Sequence, residues 1–551
     1  MFRVMQAMTV VAGLFTLAVV SGHAQNAPAA QVPGASAQQA IDAAAAALGG
    51  ADRIRALRNV TLMGYAQYAY QNGGGNISPL PGAPQKFIAA NDYRQIYDLQ
   101  NMRTLQQERR NDLFPFANYG GHSFALARQG LDGADAYTVN AQGAVQRGGD
   151  ARDRRMWFYT NPVTAVRAVL TGAATVGNRR QQAGLALVDL TLKEGDRMTL
   201  AIRPPENRPH WISWVAPNTN LGEVVLTTTF YGYQPYAGVE LPMGYTTKMD
   251  WRDVDFRKLY VDGYFVDGDI PNIAATATFP PASNPPLPSM QSLLPAPRTG
   301  GAGGAGRGGG AGGEGQPIPV VNVARGVWRF GGGTIAIEFA DHITLFEAGG
   351  GLARVKQVVA QARQLVPGKP VTQLIQSHHH FDHTAGLRQA VAEGLTIISR
   401  RDNGVIFKEM TDRKAPNFPD DLHRSGRTLR FIPVDDRLQL KDATMAVDIY
   451  RIIANNHIGD GVFAYIPEHR IYIEADIATA AEEIQWWGDS FLDNVAYRKL
   501  DVQTVVPVHM DIMTLEETNR MVRPGIQRAK DWCAEHVTKG NWFPGCPAFL
   551  R

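Results

Sequence analysis

This sequence is poor in cysteine, nearly neutral in net charge, and lacks any apolar run long enough to stay in a membrane. Only Cys533 and Cys546 occur in 551 residues, so this is no disulfide scaffold and its stability must come from apolar burial. Their closeness near the end of the chain reads as one disulfide closing a short loop. A metal role would want further ligands nearby, and none is there. The balance of 54 basic against 51 acidic residues, a formal charge of +3, gives no basic face of the kind that grips nucleic acid. The one strongly apolar stretch, Met8 to Val20, falls short of the roughly 20 residues a spanning helix needs. It follows Arg3 and precedes the small residues Gly22 and Ala24, the pattern of a signal peptide over residues 1–24. The expectation is a periplasmic or secreted protein with no stable membrane span after cleavage.

What is present is enough for two folded units, since one core seldom serves a chain this long. Thr299 to Gly315 is glycine at most positions, and a Pro-rich stretch from Pro280 to Pro297 leads into it. Such segments cannot bury enough surface to fold, so residues 280–316 read as a linker. It separates a first domain, 36–279, from a second, 317–551. The first opens with an Ala-rich helix, Ala37 to Leu48, stopped by Gly49-Gly50. Runs rich in β-branched and aromatic residues follow, beginning at Asn59, Leu185, Met198 and Glu223, and predict a β-rich, mainly antiparallel sheet. In the second domain strands and helices alternate, which predicts an α/β architecture. A hairpin is expected over Gly333 to Phe346. Leu352, Val355, Val358, Val359, Ala362 and Leu365 make one apolar helical stripe, and Val371 to Gln376 is a short buried strand.

That strand leads directly into Ser377-His378-His379-His380-Phe381-Asp382-His383, which holds four of the chain's thirteen histidines. Imidazole is the commonest ligand of zinc and similar metals, and a carboxylate among imidazoles adds the charge that retains a divalent ion. A purification tag is excluded by the internal position, and the embedded Asp382 speaks against a chance polyhistidine surface loop. Ordinary core histidines are the other alternative. His342, His423, His469 and His536 stand alone and read as surface or core residues.

The segment HHHFDH resembles the His-x-His-x-Asp-His signature of the metallo-β-lactamase fold superfamily. Three further stretches follow in that family's order: Ile453 to Pro467 around His457, Glu468 to Asp476, and Val505 to His509. The resemblance implies a four-layered αββα sandwich. It also implies that His378, His380 and His457 hold one metal, that Asp382, His383 and His509 hold a second, and that Asp476 lies between them. Two divalent ions follow, zinc first, with iron or manganese as alternatives since His and Asp ligands accept all three. The order of elements in the first domain, helix then strands, resembles lipoprotein-carrier-like domains, which curl a sheet around an apolar ligand. A sheet that merely packs on the catalytic domain is the other reading.

From this resemblance the expected activity is that of an exported dinuclear hydrolase. It would cleave an ester-like bond (lactone, thioester, ester or cyclic amide) in a small, hydrophobic substrate with a hydroxide bridging the metals, Asp382 orienting the nucleophile and taking its proton. The alternatives are a mononuclear-iron enzyme similar to persulfide dioxygenases, and a β-lactam hydrolase. Asp476 stands where typical metallo-β-lactamases have Cys or Ser, and points instead to thioesterase- and lactonase-type relatives. Two departures, Glu347-Ala348-Gly349 for Asp-Thr-Gly and Val508-His509-Met510 for Gly-His-Gly, are expected to lie in the scaffold. Asn455, Asn456 and Glu474 are candidates for holding the imidazoles. Asn456, Trp486 and Trp487 are candidate substrate contacts, the tryptophans serving otherwise for packing. Arg400 to Arg427 reads as a lid over the site or an ordinary surface excursion.

Overall fold

The computed structural model describes residues 36–112, 125–140, 144–268, 317–455, 457–478 and 489–538. The expected signal peptide, the whole of the expected linker, Asn456, Trp486, Trp487 and Cys546 lie outside them. Cys533 is buried and disulfide-bonded.

In the first domain the helix Ala37–Ala47 starts on a capping box, Ser36 and Gln39 each bonding the other's backbone N–H. The β-rich sheet expected from the sequence is an antiparallel one of thirteen strands. The strand Asn59–Ala69 sits at its middle, between Phe87–Asp98 and Asp255–Val266. From there the strands run outward on one side to Val145–Arg147 and on the other to Ala174–Gln182. Its apolar face buries the short helices: Ile41, Ala44, Met156, Val163 and Val166 pack with Leu62, Val188, Leu200, Ile212 and Leu226. The opposite face carries exposed aromatics, among them Tyr231.

The second domain has the four layers of an αββα sandwich. One sheet of seven strands begins antiparallel, including the expected hairpin of Ile335–Glu338 with Ile343–Phe346, and continues parallel through Val371–Ile375 and Thr396–Arg400. A second, of six strands, contains the parallel pair Ile471–Glu474 and Thr504–Pro507. Ile337, Phe346, Ile375 and Ile398 of the first meet Ile449, Ala464, Ile473 and Val506 of the second, all buried, in a dry layer between them. The helix Leu352–Leu365 turns Val355, Val358, Val359 and Ala362 onto the outer face of the first sheet and leaves Leu365 exposed. The helices Asp489–Arg498 and Leu515–Thr538 cover the second. Among the described residues no helix is long and apolar enough to cross a membrane.

The two domains share a core. One apolar cluster passes without a break from Leu226 and Trp251 of the first domain to Phe381, Leu387, Phe407 and Met410 of the second. Residues 400–427 make this junction and are neither a lid nor a simple excursion. They form the helices Asn403–Asp412 and Asp421–Ser425. Glu409 accepts hydrogen bonds from Trp251 and from Arg252, whose side chain also donates to the carbonyls of Asn76 and Ser78. Arg413 pairs with Asp250 at 2.9 Å, Glu223 accepts from the backbone and side chain of Asn417, and the Arg152 guanidinium lies 4.6 Å from the Phe418 ring centre. At Gly222, φ is +77° and a Cβ would stand 2.8 Å from the Arg388 guanidinium, so only glycine lets this turn pack against that side chain.

A shared core predicts one cooperative unfolding transition for both domains. Arg252→Ala removes four donations to carbonyl and carboxylate oxygens. It should lower stability by about 2 kcal/mol, and calorimetry at fixed metal concentration should show the single transition moved down by a few degrees. An unchanged midpoint would mean that this junction contributes no stability.

Candidate metal centre

The site forms where strands of both sheets end. Ile343–Phe346 runs out into Glu347, Val371–Ile375 into the histidine-rich turn, Ile471–Glu474 into Asp476, and Thr504–Pro507 into His509. His457 comes from the loop after Ala446–Arg451. The N–H of Val462 bonds the carbonyl of Ser377 at 2.8 Å and ties that loop's far end to the turn.

The seven residues converge as two groups of donor atoms: His378, His380, His457 and Asp476 in one, Asp382, His383 and His509 in the other, each within 4.8 Å. Asp476 joins them. Its Oδ2 lies 3.1 Å from Nε2 of both His383 and His457 and 3.6 Å from that of His378, while Oδ1 lies 3.1 Å from Nε2 of His509. A tetrahedral ion with bonds of about 2.1 Å sets its donors roughly 3.4 Å apart, so the spacing suits a metal. The chemistry agrees: Nε2 of His378 and Oδ1 of Asp382 are buried without a hydrogen-bond partner, and both atoms belong to the cluster, where a bound cation would satisfy them. His378 and His383 are fully buried, whereas the side chains of His509, Asp382 and His457 are 52%, 23% and 20% exposed. The mouth therefore opens over those three.

Electrostatics favour positive charge at the centre. Burial and neighbouring imidazoles push His378 and His380 well below the usual histidine pKa. At His383 burial acts in the same sense, but Asp476, Asp382 and Glu347 outweigh it and raise the pKa well above that value. His509 is raised as well, with Asp476 again overcoming burial. Burial by itself would raise Asp476, yet His383 and His509 hold it well below the carboxylate range. A buried carboxylate ringed by nitrogens stabilises a cation at that point.

The expected scaffold role of Glu347 needs correcting. Its carboxylate is buried and accepts hydrogen bonds from Ser377 Oγ, Gln376 and, at 3.1 Å, His383 Nδ1. The Ser377 hydroxyl, spent on Glu347, accepts in turn from His378 Nδ1 at 2.9 Å. Both rings are thereby held as the tautomer whose Nε2 lone pair faces the cluster. Glu347 and Asp476 have φ of +78° and +59°, a region that costs a non-glycine residue on the order of 1 to 3 kcal/mol and that persists where surrounding bonds fix it. Arg329, also unforeseen, donates to the carbonyls of Pro507, Val508 and Met510 and so grips the backbone on both sides of His509. The expected imidazole holders act otherwise. Asn455 accepts from the backbone N–H groups of His457 and Ile458, and Glu474 accepts from those of Ile477 and Ala478. Burial raises Glu474 to about 7.

Glu347→Gln keeps the volume and removes the charge that orients His383 and, through Ser377, His378. Metal affinity measured by competition with a chromophoric chelator should fall about 10- to 100-fold. Wild-type affinity in that variant would confine Glu347 to the scaffold.

Residues 329–509 match the family model described as the metallo-beta-lactamase superfamily. Solved structures similar to the chain include a metallo-beta-lactamase from Erythrobacter litoralis, at 16% identity over 38% of this chain and 97% of that one, with a TM-score of 0.29. A metallo-beta-lactamase from Pontibacter korlensis is 12% identical over 38% and 98%, with a TM-score of 0.30. A stereoselective inverting sec-alkylsulfatase from a Pseudomonas species is 12% identical over 41% and 44%, with a TM-score of 0.31. No curated protein matches the chain. The family-model match, together with the four layers and the site at the strand ends, identifies residues 329–509 as a metallo-beta-lactamase superfamily segment of the chain.

Proposed function

We propose that this protein is an exported hydrolase that uses two divalent ions, zinc first among them, to cleave an ester-like bond in a small, hydrophobic lactone, thioester, ester or cyclic amide. The observation that carries this reading is the convergence of six further donors around the single carboxylate of Asp476. His378, His380 and His457 would hold one ion, and Asp382, His383 and His509 the other, with Asp476 shared between them. Two such ions, when bound, lower the pKa of a shared water from its bulk value toward about 7 and polarise the oxygen of the scissile group. Asp382 sits at the mouth, where it can orient the attacking water and accept its proton. Substrate enters over His509, Asp382 and His457, the exposed side of the cluster. An aspartate at 476, in place of a thiol or hydroxyl, favours ester-like substrates over β-lactams.

Elemental analysis of the purified chain should give two metals, and a panel of lactone, thioester, phosphodiester, sulfate-ester and β-lactam substrates should show turnover in the ester group. Asp382→Ala should reduce turnover by about 10²- to 10⁴-fold, and His380→Ala should lower the metal content and abolish turnover, both with far-ultraviolet circular dichroism unchanged. One iron per chain with oxygen uptake on a persulfide, and no hydrolysis, would replace this reading with the oxygenase one.

A further inference from the structure

The histidine-rich turn supplies four of the seven donors, and the backbone at its centre is held from the other domain. Phe381, at the centre of the turn, has its N–H bonded to the carbonyl of Asn72 at 2.9 Å and its carbonyl bonded to the side-chain amide of Asn220 at 3.0 Å. The same Asn220 amide donates at 2.9 Å to Thr384 Oγ, whose hydroxyl donates to the His380 carbonyl. Trp251 packs on the Phe381 ring, with centroids 5.7 Å apart. His379, the one histidine of the turn that leaves the cluster, has Nδ1 2.6 Å from Asp460 Oδ2, and its Nε2 accepts from the N–H of Gly74 at 3.4 Å. Gly73 lies flat against the His380 ring. A Cβ there would stand 2.1 Å from Cδ2 and 2.9 Å from Nε2, and φ of +141° is itself unsuited to a side chain.

We infer that the first domain is part of the metal centre, with Gly73 and Asn220 as positioning residues that set the His380 ring and the backbone of the donor-bearing turn. The inference rests on the reading of the seven residues as metal ligands. Three loops of the first domain meet on residues 379–384: the one after Asn59–Ala69, the turn between Arg208–Asn218 and Gly222–Tyr236, and the one before Asp255–Val266. The helix formed by Phe381–Thr384 is four residues long and has no side-chain cap of its own. So short a helix has little intrinsic stability. Bonds to both the N–H and the carbonyl of Phe381, one in each of two successive peptide groups, fix its rotation, and with it the directions of His380, Asp382 and His383. Asn220 is in turn held by Asn218 Oδ1, which accepts its backbone N–H at 3.0 Å. Gly73 works by exclusion, since the absence of a Cβ leaves the His380 ring its place beside Asp476.

The test uses the full-length protein, stripped of metal and reloaded with cobalt. Gly73→Ala moves His380 directly. Asn220→Asp keeps the shape of Asn220 while removing both donations to the turn. Each should weaken binding of cobalt at least tenfold and alter the visible d–d spectrum, with kcat falling more than KM rises. Tyr231→Ser, on the exposed face of the same sheet, should leave affinity and spectrum as in wild type. Loss of the donor to two buried acceptors should also lower the metal-free thermal midpoint of Asn220→Asp by a few degrees without unfolding it, and if Gly73→Ala does not fold, Asn220→Asp decides alone. Unchanged affinity and spectrum in Asn220→Asp, in a protein whose wild type binds two metals, would overturn the inference and leave the hydrolase reading intact. A wild type that binds no metal would instead remove the reading on which the inference rests.

Discussion

A single carboxylate holds this site together. Asp476 stands within 3.1 to 3.6 Å of four imidazole nitrogens contributed by three separate segments, and each contact is meaningful only if the two sheets, the loop around His457 and the histidine-rich turn keep their places. Burial of a negative charge costs several kcal/mol unless positive charge accompanies it, so the fold and the cation-binding chemistry depend on each other. The left-handed backbone at Asp476 and Glu347 belongs to the same arrangement, because both acids leave their strands sharply and are fixed by the groups they bond.

Much of this could be read directly from the residues, and the reason is local. The histidine-rich turn packs four donors into six positions after an apolar strand, so its chemistry is written contiguously. The helix Leu352–Leu365, the hairpin before it and the strands of the first domain were legible because their apolar periodicity matches the surface they bury. His457, Asp476 and His509 were not legible in that way. Each is a lone residue at a strand or loop end, and only their order relative to the turn, through family resemblance, singled them out.

What the sequence concealed acts at long range. Glu347 and Arg329 matter because of what lies across a sheet edge from them, and no spacing along the chain announces it. Asn220 reaches the turn from a hairpin far away in sequence. Gly73-Gly74-Gly75 did leave a trace, since consecutive glycines in an otherwise ordered domain mark a close approach of backbone to something else. Residues 400–427 misled for a related reason. Their apolar side chains and charges look like a surface loop until a second domain supplies the partners: Phe407 and Met410 enter the common core, and Glu409 and Arg413 meet Arg252 and Asp250.

The continuous core also changes what the glycine-rich tether between the halves has to do. When apolar surface on both sides is already mated, the covalent connection adds little to holding the particle together, and a protease that cuts between Thr299 and Gly315 should leave a nicked protein that sediments as a single body.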